Sequence, residues 1–91
     1  MATRARVETD AVIPPGEFLK EELEARGMTQ KQLAERMGRP VQMVNELCQG
    51  KKELTARTAL DLERVLGIAA HIWLGLEADY RLKLARAARK M

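Results

Sequence analysis

One cysteine and one histidine in 91 residues exclude more than most motifs include. A lone cysteine cannot close an internal disulfide, so Cys48 fits a reducing cytoplasm, and beside Leu47 it reads as a small, half-buried apolar filler. With His71 as the only histidine, no cluster of side chains stands at metal-ligand spacing, and no nucleophile is spaced to meet a base. The expectation is no enzyme, no metal and no cofactor. Aromatics are limited to Phe18, Trp73 and Tyr80, while aliphatic residues are plentiful, which suits a small helical bundle. No apolar run approaches the roughly 20 residues that span a bilayer. The opening MATRARVETDAVIPP lacks the apolar core of a signal peptide. A cytoplasmic protein with no membrane attachment is expected, and the length allows one domain.

The net charge of +3 is too small to mark a nucleic-acid binder, but its distribution is informative. Residues 1–28 carry four basic and six acidic side chains, residues 29–57 six and three, and residues 58–91 six and four. The positive excess falls on the middle and the tail of the chain, as a phosphate-facing surface requires.

The middle stretch, Thr29 to Lys52, contains two short amphipathic segments on either side of Gly38-Arg39-Pro40. The Thr29 hydroxyl can cap a helix beginning at Gln30. Leu33, Ala34 and Met37 fall on one helical face, and Gly38 can close the helix in a left-handed conformation. Pro40 is expected to open the next helix, where its missing N–H leaves no gap. Val44 and Leu47 give that helix a buried edge before Gly50 ends it as Gly38 ended the first. Helices joined by so short a turn cross steeply, the helix-turn-helix geometry.

Around this core, residues 1–13 read as a flexible N-terminal arm, with Arg4 and Arg6 solvated. Residues 14–91 form the helix-turn-helix domain, including a C-terminal dimerisation helix. Helix 1 spans Gly16 to Arg26, with Phe18, Leu19 and Leu23 inward and Glu17, Glu21, Glu22 and Glu24 outward. Glu22 and Arg26 are placed to pair at i,i+4. Thr55 caps a fourth helix whose stripe is Ala59, Leu62, Val65 and Leu66, stopped by Gly67. Residues 69 to about 89 form a long last helix with two stripes. Ile72, Trp73, Leu76, Tyr80 and Leu84 make one, and Gly75, Ala78, Leu82 and Ala85 the other. Packing on one neighbour needs a single stripe, so the second predicts a two-fold copy of the chain. The fold class is all-α, with five helices and a longer C-terminal one.

These residues carry a resemblance. Gln30, Leu33-Ala34, Met37-Gly38, Val44, Leu47 and Gly50-Lys51 resemble the lambda-repressor-like (XRE-type) helix-turn-helix. Pro15-Gly16-Glu17-Phe18-Leu19 is similar to the opening of the HigA/VapI antitoxins. Asn45-Glu46, Thr55-Ala56, Thr58-Ala59-Leu60 and Trp73-Leu74 continue that family's pattern, and the match covers roughly residues 14 to 85. The resemblance implies a type II antitoxin. Such a protein binds an inverted-repeat operator as a homodimer, represses its own operon and neutralises a HigB-like, RelE-type toxin that cuts mRNA. The alternative is a stand-alone XRE-type regulator with no toxin partner.

A helical wheel centred on Val44 puts Gln42, Asn45, Glu46 and Gln49 on the arc opposite the buried face, with Val41 and Met43 at its edges. Gln42 and Asn45 can pair with adenine N6 and N7, and Val41 or Met43 can meet a thymine methyl. Glu46 can accept from cytosine N4 or keep phosphate at a distance. Gln30, at the positive end of a helix dipole, is suited to a phosphate oxygen. Arg39, Lys51, Lys52 and Arg57 supply charge that would displace counterions from the duplex. The resemblance implies family contact positions at Gln30, Gln42, Asn45 and Lys51.

Overall fold

Thr29 and Gly38 bracket a helix, as their side-chain chemistry requires, and similar punctuation divides the rest of the chain. In order, the elements are α1 (Pro15–Arg26), α2 (Gln30–Met37), α3 (Val41–Cys48), α4 (Ala56–Leu66) and α5 (Ala70–Arg89). The structure, a computed structural model, describes residues 12–89 and contains no strand among them. The expected all-α fold with a longest last helix is what is found. Arg4, Arg6 and nearly all of the arm assigned to residues 1–13 lie outside the described residues.

The Thr29 hydroxyl accepts from the Gln32 backbone at 3.0 Å, and the Gln32 side chain accepts from the Thr29 N–H at 2.9 Å. This reciprocal box satisfies two N–H groups that α2 would otherwise leave unpaired. Thr55 caps α4 in the simpler way, accepting from the Thr58 N–H at 3.3 Å. At the other end of α2, Gly38 has φ +70°, and the Arg39 N–H reaches back to the Ala34 carbonyl at 3.0 Å. Lys51 makes the equivalent bond to Glu46 at 2.9 Å beyond Gly50, so α3 does end as α2 does.

The prolines behave differently from one another. Pro15 occupies the first position of α1, one residue earlier than the sequence predicts. Pro40 was expected at the first position of α3 but stands just outside it, at the N-cap, with ψ 144°. The chain has just been turned by Gly38 and needs an extended residue before a steeply crossing helix can begin. The Pro40 carbonyl nonetheless accepts from Met43 at 3.1 Å, so it closes the first turn.

A single apolar core joins the elements. Leu19 and Leu23 of α1, Leu33 and Met37 of α2, Val44 and Leu47 of α3, and Leu62 and Leu66 of α4 are all buried in it. Leu54, in the α3–α4 connection, is buried as well. The first turn of α1 lies directly against the end of α3. A Cβ on Gly16 would stand 2.0 Å from the Leu47 carbonyl oxygen and 2.7 Å from the Cys48 Cα, so only glycine fits.

Trp73 locks α5 onto the bundle. It is fully buried, with its ring 5.2 Å from that of Phe18 at an interplanar angle of 50°. Its indole N–H has no partner among the described residues, a cost of about 1–3 kcal/mol. Burying an aromatic of this size contributes roughly 4–6 kcal/mol, so packing prevails.

The rest of α5 departs from the expected pattern. Of its residues only Trp73 and Glu77 are buried, while Ile72, Leu76, Leu82 and Leu84 remain exposed. The helix is 20 residues long, and only part of it meets α1 and α4, so most of both predicted stripes faces outward. Glu77 tolerates burial because Arg81 Nε lies 2.6 Å from its carboxylate, and that bond raises the Arg81 guanidinium above its ordinary pKa. The same guanidinium stacks over the Tyr80 ring at 5.0 Å.

Candidate nucleic-acid interface

Helix α3 is eight residues long and divides cleanly by burial. Met43, Val44, Leu47 and Cys48 face the core, Val41, Gln42 and Asn45 are exposed, as is Gln49 at the C-cap, and Glu46 is half-buried. A helix whose apolar side is clamped by α1 and α2 must present its amides outward. Five of the six residues assigned to the groove, four on α3 and Gln49 just past its end, therefore share one outer face.

Met43 is the exception and a correction: at 7% exposure it belongs to the core. It stands four residues before Leu47, so the two share a helical stripe, and the pull of that pair outweighs its position at the edge of the polar arc. Cys48 is also more buried than expected, at 1% exposure. Burial raises its thiol pKa, which keeps it a protonated apolar filler.

The exposed amides are already ordered by one another. Asn45 Nδ2 donates to Gln30 Oε1 at 3.1 Å, joining α3 to the start of α2. Gln30 then has its own NH₂ available for an external acceptor, and Asn45 keeps its carbonyl and its second N–H. Gln42 Nε2 donates to Glu46 Oε2 at 3.3 Å, along the same face of α3. The result is a row of donors and acceptors whose spacing is set by the helix backbone, as base edges demand.

Cations flank this row. Lys51, Lys52 and Arg57 are exposed beyond the C-terminal end of α3. Arg39 is placed otherwise. Its Nη1 lies 3.0 Å from Asp61 Oδ2, and its side chain is only 19% exposed, so it is held by α4 instead of standing open to phosphate. The reason is tertiary: the turn packs beside α4, and a carboxylate 22 residues away meets the guanidinium.

Lys20 was missed. It lines an open depression of about 380 Å³ together with Leu23, Glu24, Met28, Thr29 and Gln30, so α1 brings a cation beside the amide that begins α2. Nothing in the spacing of a residue ten positions upstream signals that proximity. On the outer side of α1, the expected Glu22–Arg26 pair forms at 3.3 Å, and Glu17 pairs with Lys20 at 3.1 Å. Among the described residues, no group of acidic, histidine or cysteine side chains is arranged to hold a metal ion. No described helix is long and apolar enough to cross a membrane.

Comparison with known proteins gives a consistent result. A helix-turn-helix family model matches residues 19–73. Virulence-associated protein I of Dichelobacter nodosus is 38% identical over 74 residues, covering 80% of this chain and 68% of the relative. An addiction module antidote protein of a HigA family from Coxiella burnetii superposes with a TM-score of 0.79 at 35% identity, over 87% of this chain and 89% of that one. The Pseudomonas aeruginosa antitoxin HigA, solved with the higBA promoter, superposes with a TM-score of 0.84 at 28% identity, over 88% of each chain.

Proposed function

This chain belongs to the XRE-type helix-turn-helix family of DNA-binding, HigA-type antitoxins, which are not enzymes, and we propose that it represses its own operon and neutralises a toxin encoded beside it. The observation that carries the DNA half is the outward face of α3. Gln42 and Asn45 stand exposed on a helix whose other side is fixed in the core, so they can enter a major groove without rearrangement. Val41 adds an apolar surface for a thymine methyl. The Gln30 amide and the Lys51, Lys52 and Arg57 cations take the flanking phosphates.

Dimerisation through α5 completes this reading. Gly75, Ala78, Leu82 and Ala85 are exposed along that helix, and small residues let two backbones approach closely. A two-fold dimer spaces its recognition helices about 34 Å apart and so reads an inverted repeat.

The toxin half rests on membership of the antitoxin family. The partner in this reading is a small basic RNase of the RelE type, HigB-like, that cuts mRNA at the ribosome. The exposed Glu21 and Glu24 on α1 suit a basic partner.

One experiment addresses both halves. The chain is co-expressed with the small basic open reading frame next to its own. Co-purification, loss of the toxin's mRNA cleavage, and preference of the purified chain for its promoter over random duplex are expected. Binding to the promoter with no association leaves a stand-alone regulator, and equal affinity for promoter and random duplex removes the repressor role.

A further inference from the structure

Most of the basic side chains between Thr29 and Arg57 are exposed: Lys31, Arg36, Lys51, Lys52 and Arg57. Arg39 differs from all of them. It lies in the turn immediately before the recognition helix, three residues from Gln42, yet it folds back onto α4. There its guanidinium meets Asp61 at 3.0 Å, with side-chain exposures of 19% and 20%.

Asp61 has a second arginine, Arg64, at 3.7 Å. Arg64 is anchored independently. It donates to the Arg36 carbonyl at 3.1 Å and the Met37 carbonyl at 3.4 Å, satisfying oxygens that the end of α2 leaves open. Removing the Asp61 carboxylate therefore leaves Arg64 held by backbone and releases Arg39 alone.

A carboxylate and a phosphate offer a guanidinium the same forked geometry, so Asp61 and a DNA phosphate are competitors for Arg39. A phosphate contact strengthens binding to every sequence equally, operator and random duplex alike. We propose that Asp61 limits the sequence-independent affinity for DNA by holding the Arg39 guanidinium off the DNA backbone. The proposal rests on the DNA-binding reading given above. Asp61 touches no DNA itself; it acts through Arg39, lowering affinity for every sequence by withholding charge.

The test measures binding of the full chain to its operator and to a random duplex between 50 and 200 mM salt, for the wild type, D61N, R39A and R39A/D61N. Once Arg39 is free to neutralise one more phosphate, the random-duplex salt slope of D61N becomes more negative by about 0.9, which amounts to roughly a threefold change across that salt range. Its operator slope steepens by the same amount, so both affinities rise at low salt while their ratio holds. R39A keeps the wild-type slope, and R39A/D61N returns to it. A D61N slope equal to that of the wild type overturns the proposal, even if its melting temperature falls, because the residue is then only structural. An R39A slope shallower by about 0.9 also overturns it, since Arg39 would then already contact phosphate. Should D61N fail to fold, D61A removes the same carboxylate and its slope is read in the same way. Wild-type protein that does not prefer its operator removes the underlying reading before any variant is compared, and this proposal falls with it.

Discussion

Asn45 on α3 and Gln30 at the start of α2 are joined side chain to side chain at 3.1 Å, with Asn45 donating. The bond is exposed, so its direct contribution to stability is small. Its consequence is orientation: one residue that can read a base and one that can grip a phosphate are positioned by each other. Replacing Asn45 with Ala should cost about 1–3 kcal/mol of discrimination at one operator base pair. Gln30 should also lose its fixed pose, so operator affinity falls further than random-duplex affinity. Titrations against operators substituted at single positions check this. Unchanged preference at every position would remove Asn45 from the reading surface.

Lys51 separates backbone from side-chain effects. Its N–H closes α3 against the Glu46 carbonyl at 2.9 Å, a bond that alanine retains, while its ammonium is exposed. Lys51→Ala should therefore leave stability within about 0.5 kcal/mol of the wild type. It should weaken operator and random duplex alike and make the salt slope shallower by about 0.9. A change confined to the operator would make Lys51 a base reader instead.

Gly16 offers the sharpest stability test. Its α-carbon faces the end of α3 so closely that an added methyl would meet the Leu47 carbonyl oxygen at 2.0 Å, a backbone atom that cannot move alone. Gly16→Ala should cost about 3 kcal/mol, the upper part of the overpacking range, although alanine is the better helix former. Urea unfolding followed by fluorescence of Trp73, the only tryptophan, gives the value directly.

Cys48 makes a pH-dependent contribution. Burial raises its pKa in the folded state, so the folded protein holds the thiol proton more tightly than the unfolded chain does. The associated stability is fully present below the unfolded thiol pKa of about 8.5 and is lost as pH rises through the folded value. Comparing wild type with Cys48→Ala isolates this dependence, since other alkaline titrations are common to both. The difference between them should shrink above about pH 8.5, and a thiol reagent should label native Cys48 only as fast as the protein opens.

Local signals in the sequence were enough to locate the helices. Thr29, Gly38 and Thr55 act within one turn of themselves, so their chemistry is legible without a fold. The partner of Thr29 was legible too, since Thr-x-x-Gln is a capping pattern. Met43 was recoverable from its spacing to Leu47, which a wheel centred on Val44 underweights. Arg39 and Glu77 were not. The first is withdrawn by Asp61 on a helix 22 residues away, and the second is buried by the way α5 settles around Trp73. Both depend on helix packing that no local pattern encodes.

The exposed side of α5 carries the last prediction. Leu82 is 48% exposed on a helix whose neighbours on that side, Gly75, Ala78 and Ala85, are also exposed, so the single chain leaves this stripe in water. If a second copy covers it, Leu82→Glu puts a charge into the closest part of the contact. It removes nothing from the monomer core, which α5 enters through Trp73. Self-association should then weaken at least tenfold, about 1.4 kcal/mol, while the melting temperature measured at low concentration stays that of the wild type. Affinity for the full inverted repeat should drop toward that for a half-site, because the two recognition helices are no longer linked. Sedimentation equilibrium with operator titrations follows both quantities. An unchanged mass with unchanged operator affinity would show that this stripe does not join the two copies.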